Sequence, residues 1–251
     1  MKSYMKKLLF IMTCLLAFVS VSAQTKAEAD SAYAQEHYDQ AITLYNKLLE
    51  SGVSASVYYN LGNAYYRSGD MAHAILSYER AYLLEPGDKD IRFNLQLART
   101  KTVDKITPES EMFFVTWFHQ LVDLRSADQW GRAVIVCFAL FVVSVLLYFF
   151  LDRLLWRKIG FAVAVCTLLL AVFFHVFAYQ QQQKLLQRTH AIVMSSSLTV
   201  KSTPSASGTD LFVLHEGTKV QITDDTMKDW KEIKLADGKV GWVPVKTIER
   251  I

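Results

Sequence analysis

Apolar positions follow three textures along this chain, and each predicts a different kind of element. Continuous apolar runs occupy Leu8–Val21, Ala133–Leu151 and Ile159–Tyr179. From Lys26 to Lys101 apolar and small residues recur three and four apart, the period of helices that bury one face. From His190 to Ile251 the pattern becomes alternation. It predicts short strands at Ala191-Ile192-Val193, Leu198-Thr199-Val200, Leu211–Leu214, Lys219–Ile222, Trp230–Leu235 and Lys239–Val243. Turns separate them at Thr203-Pro204-Ser205, Glu216-Gly217-Thr218 and the tight Asp237-Gly238.

The first run has Lys2, Lys6 and Lys7 before it and Val21-Ser22-Ala23 after it, which predicts a secretory signal peptide over residues 1–23. The second and third runs are each long enough to cross a hydrocarbon layer of about 30 Å at about 1.5 Å per residue. They predict spans over residues 132–151 and 159–180, with 152–158 as a loop that Arg153, Arg157 and Lys158 mark as cytoplasmic. Export of the chain after residue 23 then places residues 24–131 and 181–251 on the periplasmic side of the inner membrane, whether or not the leader is cut. Phe113, Phe114, Trp117, Phe118, Trp130, Trp156 and Tyr179 fall where a bilayer interface is expected. Helical spacing of Phe114, Trp117, Phe118, Leu121 and Leu124 predicts an interfacial helix within the 105–131 segment, and 181–189 reads as a linker.

The region from 24 to 104 repeats itself. Leu61, Gly62, Tyr65, Ala74, Tyr78, Ala81 and Pro86 lie at the signature spacing of a 34-residue helical repeat, and Ala29, Tyr33, Ala41, Tyr45 and Leu48 answer in phase upstream. Ile91, Phe93, Asn94 and Leu95 open a capping helix. The pattern resembles tetratricopeptide repeats, at about 22–54 and 55–88, and the resemblance implies a partner-binding groove. Its candidate residues are Lys26, Asp30 and Tyr33, then Tyr59, Asn63, Tyr66 and Arg67, then Phe93 and Lys101. Some members of that family clamp a carboxyl terminus. Lys26 and Asn60 suit such a clamp, whereas Asp30 and Asp90 oppose it, as do the eight basic against eleven acidic residues from Gln24 to Asp104.

Over residues 190–251 the order Leu198-x-Val200, Leu211-Phe212-x-Leu214-x-Glu216-Gly217, Trp230-x-x-Ile233 and Gly241-Trp242-Val243-Pro244 resembles bacterial SH3-like domains. Trp230, Trp242 and Pro244 are candidate ligand contacts, or else core and strand-end residues. Ser195-Ser196-Ser197 and Val245–Ile248 stand where proline-binding SH3 domains need aromatic residues, which argues against polyproline recognition.

The fold class expected is therefore a multidomain membrane protein: an all-α tetratricopeptide repeat domain, a two-helix transmembrane hairpin and a small all-β SH3-like barrel. Composition agrees, with 52% hydrophobic and 20% charged residues among 251. A formal net charge of +3 is too small and dispersed for a nucleic-acid partner. Beyond the leader the cysteines are Cys137 and Cys166, at different depths in the two runs, so no disulfide is expected. No nucleotide loop, nucleophile elbow or metal signature occurs, and the six histidines are scattered. The chain is read as non-enzymatic, without catalytic residues, metal or cofactor. His175, ionisable within a span, is the one candidate for a proton or haem role.

The order of leader, repeats, two spans and SH3-like domain resembles the E-type component of Bacteroides aerotolerance (Bat) systems. That resemblance implies an inner-membrane adaptor working with von Willebrand factor A-type membrane proteins and a MoxR-type ATPase, linked to oxidative stress. The alternative is an envelope sensor or peptidoglycan-binding protein acting through the SH3-like domain.

Overall fold

The structure is a computed structural model that describes residues 26–251. The expected signal peptide and the first residues of the first repeat lie outside the described residues. The chain divides into two compact units, one of residues 26–81, 90–108 and 189–251, the other of residues 82–89 and 109–188.

The first unit opens with α1 (residues 26–34), α2 (Tyr38–Ser51), α3 (Ala55–Ser68), α4 (Met71–Leu84, shared with the second unit) and α5 (Lys89–Arg99). Each is helical for the reason the spacing gave, an apolar stripe turned to one side. Ala41, Tyr45 and Leu48 are buried on α2, Val57, Leu61 and Ala64 on α3, and Ile91, Leu95 and Ala98 on α5. The α3–α4 turn falls at Gly69-Asp70, where the Asp70 carboxylate accepts from the His73 backbone N–H at 3.1 Å and caps α4. Close approach of α3 and α4 depends on Gly62, because a Cβ there would sit 2.6 Å from the buried Tyr78 ring. Gly62→Ala is therefore expected to destabilise the repeat region. An overpacking cost of about 1–3 kcal/mol exceeds the roughly 1 kcal/mol gained in helix propensity. A Tm unchanged or raised in thermal unfolding would refute this.

The carboxy-terminal part of the same unit is one antiparallel sheet of β1 (His190–Val193), β2 (Leu198–Lys201), β3 (Asp210–Leu214), β4 (Lys219–Asp224), β5 (Trp230–Lys234), β6 (Val240–Pro244) and β7 (Ile248–Arg250). Strand order is β3-β2-β6-β5-β4-β1-β7. Alternation produces the core: Val220 and Ile222 from β4, Ile233 from β5 and Val243 from β6 point inward with Val193, Val200 and Leu214. The sequence reading had six strands. The seventh, β7, pairs with β1 through Ala191↔Arg250 and Val193↔Ile248. An all-β carboxy-terminal domain of SH3-like character stands.

Repeats and sheet were expected as separate modules, yet they pack within one unit. The segment after α5 is not free linker, since Ile106 packs against the sheet core. Gly217, at φ +82, lies so close to Ile75 and Thr102 that any side chain there would meet both.

The second unit holds α6 (Phe113–Val122), α7 (Ala127–Phe150) and α8 (Leu154–Gln187). Both α7 and α8 are long and apolar enough to cross a membrane. Side chains such as Ile135, Phe138, Leu146, Phe161, Leu169 and Val172 leave them with an uncovered apolar surface, as lipid contact requires. They pack through small residues, Ser144 on α7 and Gly160, Ala164 and Ala171 on α8. Three boundaries differ from the sequence reading. The 152–158 loop shrinks to Leu151–Arg153, because α8 already begins at Leu154. The 181–189 linker is helical through Gln187, since glutamine, lysine and leucine favour helix beyond the apolar run. In the 105–131 segment α7 begins at Ala127, with Ser126 accepting from the Gln129 backbone N–H.

Trp130 also departs from expectation. It is buried against Phe174 and Phe177, and its indole N–H donates to the Val122 carbonyl at 2.9 Å. Gln181 donates to the same carbonyl at 3.0 Å and to Asp123 at 2.8 Å, and Lys184 pairs with Asp123 at 2.6 Å. Phe118 and Leu121 of α6 pack onto this cluster, while Phe113, Phe114 and Trp117 face outward. His175 is exposed on α8.

Candidate functional site

Helical periodicity places α1, α3 and α5 side by side, and their facing residues build a small polar depression. Tyr33, Asn63, Tyr66, Arg67, Tyr78, Asn94 and Leu97 line a volume of about 170 Å³. Its floor is a hydrogen-bonded network. The Tyr78 hydroxyl donates to Asn63 Oδ1 at 2.7 Å, and Asn94 Nδ2 donates to the same oxygen and to the Tyr59 hydroxyl, both at 2.9 Å. The Tyr59 and Tyr78 rings stand 6.0 Å apart. Burial raises the Tyr78 hydroxyl's pKa above the usual tyrosine value, and the neighbouring tyrosines add to this. It stays a neutral donor. Arg67 is fully exposed beside Tyr38 and Tyr33, which favour its charged form further. Among the described residues it is the only charged one lining the depression. Phenols, carboxamides and one guanidinium suit a peptide main chain with an aromatic or acidic side chain.

Of the nine residues predicted for this groove, Tyr33, Asn63, Tyr66 and Arg67 line it and Tyr59 supports it from behind. Lys26 and Asp30 are instead tied to each other at 2.6 Å. Asp30 also accepts from the Tyr45 hydroxyl at 2.7 Å and from Asn60 at 3.2 Å. Burial works against the Asp30 carboxylate, but these donors outweigh it and hold its pKa below the usual range. The chain's own carboxylate thus occupies Lys26 and Asn60, the two groups a carboxylate clamp would need. Phe93 and Lys101 are exposed and lie outside the lining. The sequence reading missed Tyr78, Asn94 and Leu97. Asn94 repeats Asn60 one repeat later, a signal that was available; Tyr78 entered the sequence reading only as a signature position of the repeat.

On the sheet, Trp230 lies opposite Pro244, and Trp242 opposite Glu232 and Lys201. All three candidate residues are half-buried. They form strand-end and sheet-face contacts, while Leu211, Val213 and Val240 near the β3 edge are more exposed.

The junction of repeats and sheet carries several ion pairs. Glu79 of α4 is 2% exposed and pairs with Arg99 of α5 and, at 2.9 Å, with Lys219 of β4. Burial would raise its pKa, yet the two cations overcome this and hold it below the usual glutamate value. Arg80 donates to Glu249 at 2.9 Å and to the Arg250 carbonyl at 2.6 Å. Asp104 accepts from the His215 backbone N–H at 2.7 Å and from the Thr218 hydroxyl at 2.6 Å, and its second oxygen lies 2.8 Å from His215 Nδ1.

Among the described residues no group of His, Cys, Asp and Glu has the arrangement to hold a metal ion. Comparison with known families matches residues 26–91 to Tetratricopeptide repeat and residues 196–249 to Bacterial SH3 domain. No curated protein matches the chain. Apart from residues 82–89, the two matched segments belong to the first unit. A chain carrying them, with two apolar helices between, has the makings of a protein that binds other proteins or peptidoglycan.

Proposed function

We propose that this protein is a non-enzymatic membrane adaptor that holds a protein partner in the α1–α3–α5 depression. The observation that carries the reading is the convergence of Tyr33, Asn63, Tyr66 and Arg67, from two successive repeats, on one uncovered depression. The helical hairpin anchors the adaptor. Because the chain leaves the first unit at Pro108 and re-enters it at Thr189, two crossings in between return both soluble parts to one side. The leader-like amino terminus supports export to the periplasmic side of the inner membrane. The order of parts supports membership of a Bat-type aerotolerance complex, with von Willebrand factor A-type membrane proteins as partners.

The test is crosslinking in intact cells followed by purification of the tagged protein. Tyr66→Ala with Arg67→Glu is expected to lower recovery of the specific membrane partner about tenfold or more, as loss of a central anchor does. Membrane insertion and thermal unfolding should stay unchanged, because Tyr66 is only half-buried and Arg67 is exposed. Undiminished recovery would remove the groove from the reading.

One observation favours a second reading, peptidoglycan binding through the sheet. The ion pairs from the repeats use β4, β7 and the loop before β4, and although the 104–107 segment borders Val213, the apolar residues Leu211, Val213 and Val240 keep exposed area near the β3 edge. Wall sedimentation that is lost on Leu211→Glu with Val213→Glu would shift the assignment to it.

A further inference from the structure

Where α5 and the segment after it cross the sheet, a cavity of about 520 Å³ opens, within the size range of small-molecule sites. Its floor follows from strand register. His190, Gln221 and Lys234 lie in one row across β1, β4 and β5, and Lys219 stands two residues from Gln221 on the same face. Arg99 and Lys105 form the opposite wall. Four cations therefore face one carboxylate, Asp104, whose oxygens are already bound by His215 and Thr218. Glu79, buried beneath, takes one hydrogen bond from each of Arg99 and Lys219, whose side chains remain partly exposed and keep further donors. Lys105 is spent on the Thr100 and Thr102 carbonyls. Lys234 has no ion-pair partner among the described residues. Val220 and Leu235 give the cavity an apolar side.

The geometry points to a binding site for a small ligand with an oxyanion head, carboxylate or phosphate, and a short apolar body, seated between Arg99, Lys219 and Lys234. This site is separate from the groove between the repeats and does not depend on it. An oxyanion there receives charge-assisted hydrogen bonds from a guanidinium and two ammonium groups, while Gln221 offers a neutral donor beside them. His190 reports on it. Although His190 keeps an exposed face, the crowding of its ring at the cavity floor and then the Lys219 ammonium bring its pKa down, to about 4, and a bound anion raises that value.

The experiment uses the full chain in detergent micelles at low salt, with calorimetry and the NMR titration of His190 as readouts. The probes are inorganic phosphate, acetyl-alanyl-alanine with a free carboxylate, and the same peptide as its amide. At least one of the two anions is expected to bind and raise the His190 pKa, and the amide to do neither. Binding of the peptide acid alone assigns a peptide carboxyl terminus. Binding of phosphate alone assigns a phosphate ester, and binding of both assigns the shared oxyanion chemistry. Lys234→Gln should weaken binding about tenfold, the loss of one charge-assisted hydrogen bond. Gln221→Glu should abolish it, and Lys246→Gln, remote in the 245–247 turn, should leave it intact. Equal affinity for acid and amide, no binding of either anion, or unchanged binding in both Lys234→Gln and Gln221→Glu would overturn the site.

Discussion

Replacing Trp130 by alanine is expected to cost about 3–5 kcal/mol and to free the α6–α7 corner, the range found when a large buried aromatic is truncated. The ring fills the space between Phe174 and Phe177, and its N–H helps to satisfy the Val122 carbonyl. Trp130→Phe should cost far less, about 1 kcal/mol, because Gln181 still donates to that carbonyl. Hydrogen exchange of amides 113–130 in micelles measures both. Near-native protection in Trp130→Ala would mean that Lys184, Gln181 and Asp123 hold the corner without the ring.

Glu79→Ala should weaken the junction of repeats and sheet by about 2–3 kcal/mol. That is somewhat below the usual cost of breaking a buried pair, because Arg99 and Lys219 can turn toward water. Replacing all three by methionine should recover most of the loss, since the cost lies in the unpaired charges. The same carboxylate predicts a pH dependence of definite sign. Its folded pKa lies below its ordinary value near 4.5. Its contribution is therefore complete above pH 4.5 and is lost as the pH falls from there through the depressed value. Wild type should lose stability in that acid window more steeply than Glu79→Gln. Parallel curves would show that Glu79 is not what couples the two parts.

Much of this architecture was legible because it is local. A stripe such as Ala41, Tyr45 and Leu48, or an alternation such as Val220, Gln221 and Ile222, carries its own period and needs no partner to be recognised. What escaped was set at long range. Three residues of β7 are too few to display alternation, and their strand identity comes from β1, nearly sixty residues earlier. Hydropathy marked the apolar part of α8 but not where the helix ends, so Gln181 to Gln187 read as linker. Trp130 was taken as an interface aromatic because sequence gives the depth of a residue and not the neighbours it faces.

The groove was half legible for the same reason. Repeat spacing found Asn63, Tyr66 and Arg67, but only the fold shows that Asp30 consumes Lys26 and Asn60. Glu79 gave no signal at all. A lone acid in an amphipathic helix reads as solvated until its counterion, Lys219, arrives 140 positions later.

The interleaving of the soluble unit with the hairpin also governs how the protein is made. The repeats leave the ribosome first, but Ile75 and Thr102 wait for Gly217 and Glu79 for Lys219, which follow only after both long helices. At a synthesis rate of about 5–20 residues per second the exposed surface stays uncovered for roughly 6–28 seconds. Closing the gap afterwards is inexpensive, since loop entropy grows only with the logarithm of length. On the proposed two-crossing topology, a chain in which just one helix inserts would strand its halves on opposite faces of the bilayer and leave that surface bare. On that topology, completion of the soluble unit would therefore report that both helices have inserted.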